Sequence, residues 1–411
     1  MSSIWLPYQS PSASHSMTIV RAEGSYIYTD DGTKYIDAIA SWWVNTVGHT
    51  NPAVVQAITQ QVQQVEQVLF ANFTHPAANE LVVMVSKLMP IPPAKIFLSD
   101  NGSTAVEVAL KVLLQLNKSR NKTKFLALKG AYHGDTFGSM SVSERGTFNA
   151  PFDNHLFEVD FIDIYAENWS EQLNSLALDT YLGFIFEPLI QGAYGMKMYD
   201  RDRINSLGNL LNKNGIPIIA DEVFTGIYRT GTFVACEQLD FSIDIYCLSK
   251  GITGGFLPLG VTTFSAHIVQ EFISNSTTEL LLHGHSYTGN ALSCAAAVAT
   301  LHELSTPFFQ NNIQNIVQKH AQWIPYFRIK YPHSIRQCGT ILAIEINTTE
   351  KTHYQNKLAS KVTPFFLEHG IFLRPLGNVI YLVPPYTTTT DDLDQVYSAI
   401  ELFCETLFFK N

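Results

Sequence analysis

Apolar and polar positions divide the chain into three stretches of different period. Near the start, SYIYTD and TKYIDAIA alternate in step with a β-strand and flank Asp31-Gly32, which predicts a hairpin whose turn needs a positive φ. From Asn51 the period lengthens, and PAVVQAITQQVQQVEQVLF, opening on a proline, predicts a helix. The middle of the chain then sets short, continuously apolar runs between helical ones. KIFLSD (95–100), KFLAL (124–128), LGFIFEPL (182–189), IPIIADEV (216–223), IDIYCLSK (243–250) and PLGVTTFS (258–265) predict strands. In GSTAVEVALKVLLQL, Val106, Ala109, Leu110 and Leu113 follow the i, i+3, i+4, i+7 rule of a helix, and RINSLGNLLNKN is a second helical segment. Strands that are apolar throughout and separated by helices imply a mostly parallel sheet covered on both faces. Beyond Leu304 the pattern becomes helix, strand ILAIEI (341–346), a helix around LASKVTPFFLEHG, strand VIYLVP (379–384) and a last helix. The expected fold class is α/β: a large domain over 51–304, and a smaller α+β domain from 1–50 and 305–411.

Composition narrows the classes of partner. Hydrophobic residues make up 46% of the 411 positions and charged residues 15%, enough for a large core. The net charge of -10, with no basic block, argues against nucleic acid or an anionic membrane. The five cysteines are scattered without metal-binding spacing, which fits reduced thiols in a cytosolic protein. The N-terminal segment lacks the pattern of a secretory signal, and no apolar run approaches the roughly 20 residues of a membrane helix. The expectation from composition is a soluble, cytoplasmic globular protein.

Candidate chemistry gathers at strand ends, where open α/β sheets bind ligands. Lys250 ends one apolar strand and precedes Gly251-Ile252-Thr253-Gly254-Gly255. A lysine desolvated there has a lowered pKa and a nucleophilic amine; an exposed lysine opening a loop is the plainer alternative. Asp221 ends IPIIAD and can face a cationic ring nitrogen or cap a helix. Asn101-Gly102-Ser103-Thr104 opens a helix, which makes it a phosphate cradle or an ordinary cap. Tyr132, in Tyr132-His133-Gly134, offers a ring to stack on a planar cofactor. His283 and His285 lack a third ligand in their neighbourhood, so no metal site is expected.

Together DNGSTAVEVALK, GAYHGDTFGSMSVS, FEPLIQGAYGM, IPIIADEVFTGIYRTG, LSKGITGG and HGHSYTGN resemble the class III aminotransferases of PLP fold type I, in the family's order and over nearly the whole chain. The resemblance implies pyridoxal 5'-phosphate as cofactor, with Lys250 forming its Schiff base and carrying the proton. It implies Asp221 on the pyridine nitrogen, Tyr132 on the ring, and Gly102 and Ser103 on the phosphate. Ser286 would reach the phosphate of a neighbouring subunit, which implies a homodimer with shared sites, and Glu187 and Gln191 would lie near the cofactor.

Within that family the chain is similar to the biotin-pathway branch. The likeness rests on Trp5-Leu6-Pro7-Tyr8, Ser41-Trp42-Trp43, and Arg374-Pro375-Leu376-Gly377 leading to Tyr381-Leu382-Val383-Pro384-Pro385-Tyr386. It implies transamination of 8-amino-7-oxononanoate to the 7,8-diamine, with S-adenosylmethionine as donor and Tyr8, Trp42, Arg229, Gly284, Arg374 and Tyr381 at the substrate. Aromatic rings suit the long apolar chain of such a substrate, and an arginine suits its distal carboxylate. Core packing for one of the two tryptophans and a surface ion pair for Arg374 are the structural alternatives. Two segments depart from the branch: Thr225-Gly226-Ile227-Tyr228-Arg229 stands where Thr-Gly-Phe-Gly-Arg is usual, and His283-Gly284-His285-Ser286 where His-Gly-Pro-Thr is common. They leave lysine open as the donor. The rival functions are an acetylornithine, ornithine or 4-aminobutyrate type transaminase, and a non-catalytic cofactor-binding protein.

Overall fold

The computed structural model describes residues 4–12, 17–117, 122–146, 148–275, 280–350, 352 and 356–408. Seven strands form the central sheet, in the spatial order Lys95–Ser99, Gly260–Phe264, Ile245–Leu248, Ile218–Asp221, Tyr181–Phe186, Lys124–Leu128 and Val159–Ile162. Gly260–Phe264 runs antiparallel to both of its neighbours, and the other pairings are parallel. Tyr181–Phe186, Ile218–Asp221 and Ile245–Leu248 are buried at every position, the burial that their unbroken apolar runs require.

Helix Gly102–Leu116 covers one face of this sheet. Its Asn101 cap accepts the Thr104 N–H at 2.9 Å while Asn101 N–H bonds Thr104 Oγ1 at 3.1 Å, a reciprocal cap that fixes where the helix begins. Leu110 and Leu113 pack with Phe125, Ile185 and Ile219, each large side chain contributing roughly 1.5–3 kcal/mol by burial. The approach is close at Gly183, where a Cβ would meet Leu113 Cδ1 at 2.5 Å.

Two smaller sheets use other parts of the chain. Ile19–Glu23, Tyr26–Thr29 and Lys34–Asp37 form an antiparallel sheet that Ile371–Phe372 joins in parallel, so segments from both chain ends pair. The predicted hairpin is present, with Tyr26 opposite Ile36 and Gly32 at φ +85°. Ser334–Cys338, Ile341–Glu345 and Val379–Leu382 make a three-stranded antiparallel sheet. The helix predicted from Asn51 covers only Pro52–Val62; beyond it, Glu66 and Gln67 bond instead to Thr288 and Asn290, with Asn290 donating to Glu66 O at 3.1 Å. Among the described residues no helix is long and apolar enough to cross a membrane.

Candidate active site

Five strands of the central sheet and the turns after them deliver the reactive groups. Strand Ile245–Leu248 ends just before Ser249, whose hydroxyl donates to Leu259 O at 2.6 Å, and Lys250 follows at φ +41°, a left-handed conformation rare for lysine. Lys250 Nζ lies 4.8 Å from the centre of the Trp43 ring and 5.6 Å from that of Phe224. Among the described residues it has no hydrogen-bond or ion-pair partner. Burial holds its pKa below the ordinary lysine value, against the opposing pull of Asp221 and Glu187.

Asp221 closes the adjacent strand. Its Oδ1 accepts the Val223 N–H at 3.1 Å and its Oδ2 meets His133 Nδ1 at 2.7 Å, both side chains being buried. His133 Nε2 has no partner among the described residues. Glu187 stands close by, accepting the Tyr132 N–H at 3.2 Å and the Gly192 N–H at 2.9 Å; burial pushes its pKa up to about 7. Burial likewise pushes the Tyr132 phenol upward. At the start of helix Gly102–Leu116, the first intrahelical bond runs from Ala105 N–H to Asn101 O at 3.0 Å, so the N–H groups of Gly102 and Ser103 are left for another acceptor.

Lys250, Asp221, Tyr132, Gly102 and Ser103 line one cavity of about 510 Å³ together with Tyr8, Trp42, Arg374 and Tyr381. The two tryptophans divide their tasks: Trp43 is buried, 4.4 Å from the Phe224 ring and donating its indole N–H to Tyr381 Oη at 3.2 Å, whereas Trp42 is 47% exposed. The Arg374 guanidinium lies 5.5 Å over the Trp42 ring. The turn that carries both tryptophans has Ala40, Ser41 and Trp43 at positive φ, sparsely populated conformations that cost roughly 1–3 kcal/mol each.

Other expected residues lie elsewhere. Arg229 is fully buried outside the cavity lining, donating to Pro384 O at 2.6 Å and Asn45 O at 2.7 Å, with its guanidinium 4.7 Å from the Tyr386 ring. Gln191 is buried between Tyr165 and the Lys129 carbonyl. Gly284 and Ser286 are exposed on a loop and do not line the cavity. The structure adds residues that sequence reasoning passed over. The Tyr8 hydroxyl donates to the Asp135 carboxylate and lies 3.4 Å from the Tyr132 hydroxyl, and Phe148 packs on both tyrosines. Asp135 sits in the same motif as Tyr132, but its partner is 127 residues away, beyond the reach of local spacing.

The sequence matches the family Aminotransferase class-III over residues 8–403. It is 39% identical to the adenosylmethionine-8-amino-7-oxononanoate aminotransferase of Synechococcus elongatus, covering 97% of each chain. The fold superposes on the enzyme of that name from Methanocaldococcus jannaschii with a TM-score of 0.90 at 32% identity, over 97% of this chain and 96% of the other. An amine transaminase from an uncultivated Pseudomonas species, solved in its PLP-bound form, gives 0.89 at 27% identity, covering 98% and 99% of the two chains. A lysine amine, a carboxylate and a helix N-terminus facing one cavity are thus accompanied by a match along almost the full length, and the chain belongs to the class III aminotransferases.

Proposed function

We propose that this chain is a pyridoxal-phosphate-dependent transaminase that converts 8-amino-7-oxononanoate to 7,8-diaminononanoate in biotin synthesis, with S-adenosylmethionine as amino donor. The observation that carries the reading is that one cavity brings the Lys250 amine, which has no hydrogen-bond or ion-pair partner among the described residues, together with an aromatic wall and Arg374. The similarity to the Synechococcus and Methanocaldococcus enzymes supports the substrate.

The residues fit the cofactor. Gly102 and Ser103 would hold the phosphate on their N–H groups, where the helix dipole also favours an anion. The approach is built around small residues: a Cβ at Gly134 would come within 2.0 Å of Ser103 Oγ, and one at Gly102 within 2.7 Å of Val223 Cγ1. Asp221 would face the pyridine nitrogen, kept in orientation by His133, and Tyr132 would cover the ring. Bound there, pyridoxal phosphate supplies the electron sink that stabilises negative charge at the carbon losing a proton.

The chain's own groups do the rest. Lys250, whose desolvation outweighs the pull of Asp221 and Glu187, has the amine needed to attack an aldehyde, and when released it can take and return a proton at Nζ. Trp42, Trp43 and Tyr381 present apolar surface to an aliphatic chain, and Arg374 offers two N–H donors to its carboxylate. Tyr8, Tyr132 and Asp135 bring two hydroxyls and a carboxylate together, a place for a substrate amino group. Arg229 supports the wall from behind through Asn45 and Pro384. A cytoplasmic homodimer in which exposed Ser286 reaches the neighbouring subunit's cofactor completes the reading.

The experiment is a donor screen with purified protein, following 8-amino-7-oxononanoate by mass spectrometry. Diamine formed with S-adenosylmethionine supports both parts of the proposal, and diamine formed only with lysine replaces the donor. No diamine with any donor, alongside turnover of acetylornithine, ornithine or 4-aminobutyrate, overturns the substrate.

A further inference from the structure

The tryptophan wall stands on a backbone that its own sequence disfavours. Ala40, Ser41 and Trp43 have φ of +49°, +59° and +66°, and no glycine stands among them. Such conformations persist only where the surroundings over-determine them. The group that does so lies outside the cavity lining, at the end of strand Lys34–Asp37. Asp37 is fully buried. Its Oδ1 accepts N–H bonds from Ser41 at 2.9 Å and from Ile39 at 3.4 Å. Its Oδ2 accepts the Ser41 N–H at 2.7 Å and the Ser41 hydroxyl at 3.1 Å, and meets His49 Nε2 at 2.9 Å.

We propose that Asp37 is a positioning residue that locks the Ala40–Trp43 turn in its left-handed form and thereby sets the substrate-facing wall. The inference rests on the cavity's being the substrate site. Without the carboxylate, the Ser41 N–H loses its acceptor and the turn relaxes toward ordinary backbone angles, carrying both indoles with it. Two wall contacts move together as a result. Trp43 leaves the Tyr381 hydroxyl that it now bonds at 3.2 Å, and Trp42 leaves its place 5.5 Å beneath the Arg374 guanidinium. Asp221 and the Gly102–Ser103 helix start belong to other elements and stay in place, and Lys250, although its amine lies 4.8 Å from the Trp43 ring, is anchored on its own strand end. Loss of Asp37 therefore weakens acceptor binding far more than cofactor capture or the chemical step.

The test is Asp37→Asn in the holoenzyme, which replaces one acceptor oxygen with an amide donor. The expected result is cofactor content and absorbance equal to wild type, an altered tryptophan band in near-UV circular dichroism, and a KM for 8-amino-7-oxononanoate raised about tenfold with kcat within about threefold. A purely structural role lowers the melting temperature but leaves KM and the tryptophan band unchanged, and that result overturns the proposal. If Asp37→Asn does not accumulate as folded protein, His49→Phe removes one bond to the same carboxylate from a side chain that is 16% exposed. Its expected KM rise is about threefold at constant kcat, and an unchanged KM refutes the role. A wild-type enzyme with no activity on 8-amino-7-oxononanoate sinks the substrate assignment instead. In that event the tryptophan band of the folded variant still decides the matter, an unchanged band counting against Asp37.

Discussion

Glu187→Gln isolates the energetic consequence of burying a carboxyl group beside the cavity floor. Glu187 is buried and accepts two backbone N–H groups, from Tyr132 at 3.2 Å and Gly192 at 2.9 Å. Burial raises its pKa from 4.5 to about 7; Asp221 adds to the rise and His133 opposes it. The folded chain therefore holds this proton more tightly than the unfolded chain does. The resulting stabilisation is fully present below about pH 4.5 and is lost as pH rises through about 7. At about 1.4 kcal/mol per pH unit, the interval from 4.5 to about 7 amounts to roughly 3 kcal/mol. Glutamine cannot titrate, so its own cost is independent of pH: an amide NH₂ turned toward one of the two N–H donors, about 1 kcal/mol or more. Urea unfolding of cofactor-free wild type and Glu187→Gln at about pH 5 and about pH 8 separates the two effects. The expected outcome is that wild type loses about 2–3 kcal/mol relative to the variant between the two conditions. A stability difference that is the same at both pH values refutes the reasoning.

Three further outcomes follow from the same geometry. Gly134→Ala places a Cβ 2.0 Å from Ser103 Oγ at a φ of +122°, so cofactor affinity should fall about tenfold or more by absorbance titration, reflecting about 1–3 kcal/mol of overpacking. Arg229→Lys cannot reach Pro384 O and Asn45 O with two separate nitrogens; loss of one charged hydrogen bond should cost about 1.5–3 kcal/mol in denaturant unfolding, and the cofactor spectrum should be unchanged. Arg374→Ala should raise the KM for 8-amino-7-oxononanoate by about tenfold to a hundredfold while leaving cofactor binding intact, and an unaltered KM excludes it from carboxylate recognition.

The central sheet was legible in the sequence because its strands are buried on both faces. LGFIF and IDIYCL are apolar at nearly every position, and a run of that kind between helical patterns has few other interpretations. Val159–Ile162, at the sheet edge and only partly buried, gave no comparable signal, nor did polar Ser334–Cys338. Lys250, Asp221 and Gly102-Ser103 were readable as strand-end and helix-start groups, and they do share a cavity. Arg229 shows where such reading stops. Its motif marks the position as special, but only the fold reveals that the guanidinium is spent on two backbone carbonyls outside the cavity. Asp37 and Asp135 act through partners that local patterning does not identify: a strained turn in one case and a tyrosine 127 residues away in the other. Positive φ at Ala40, Ser41 and Trp43 leaves no mark in composition, since none of the three is glycine.

Borohydride reduction of the purified holoenzyme, followed by peptide mapping, tests the role of Lys250 most directly. The prediction is one pyridoxyl group per chain, on the peptide containing Lys250, with none incorporated by Lys250→Ala. Label on a different lysine, or protein that takes up no pyridoxal phosphate, contradicts the assignment of Lys250 as the residue that captures the cofactor.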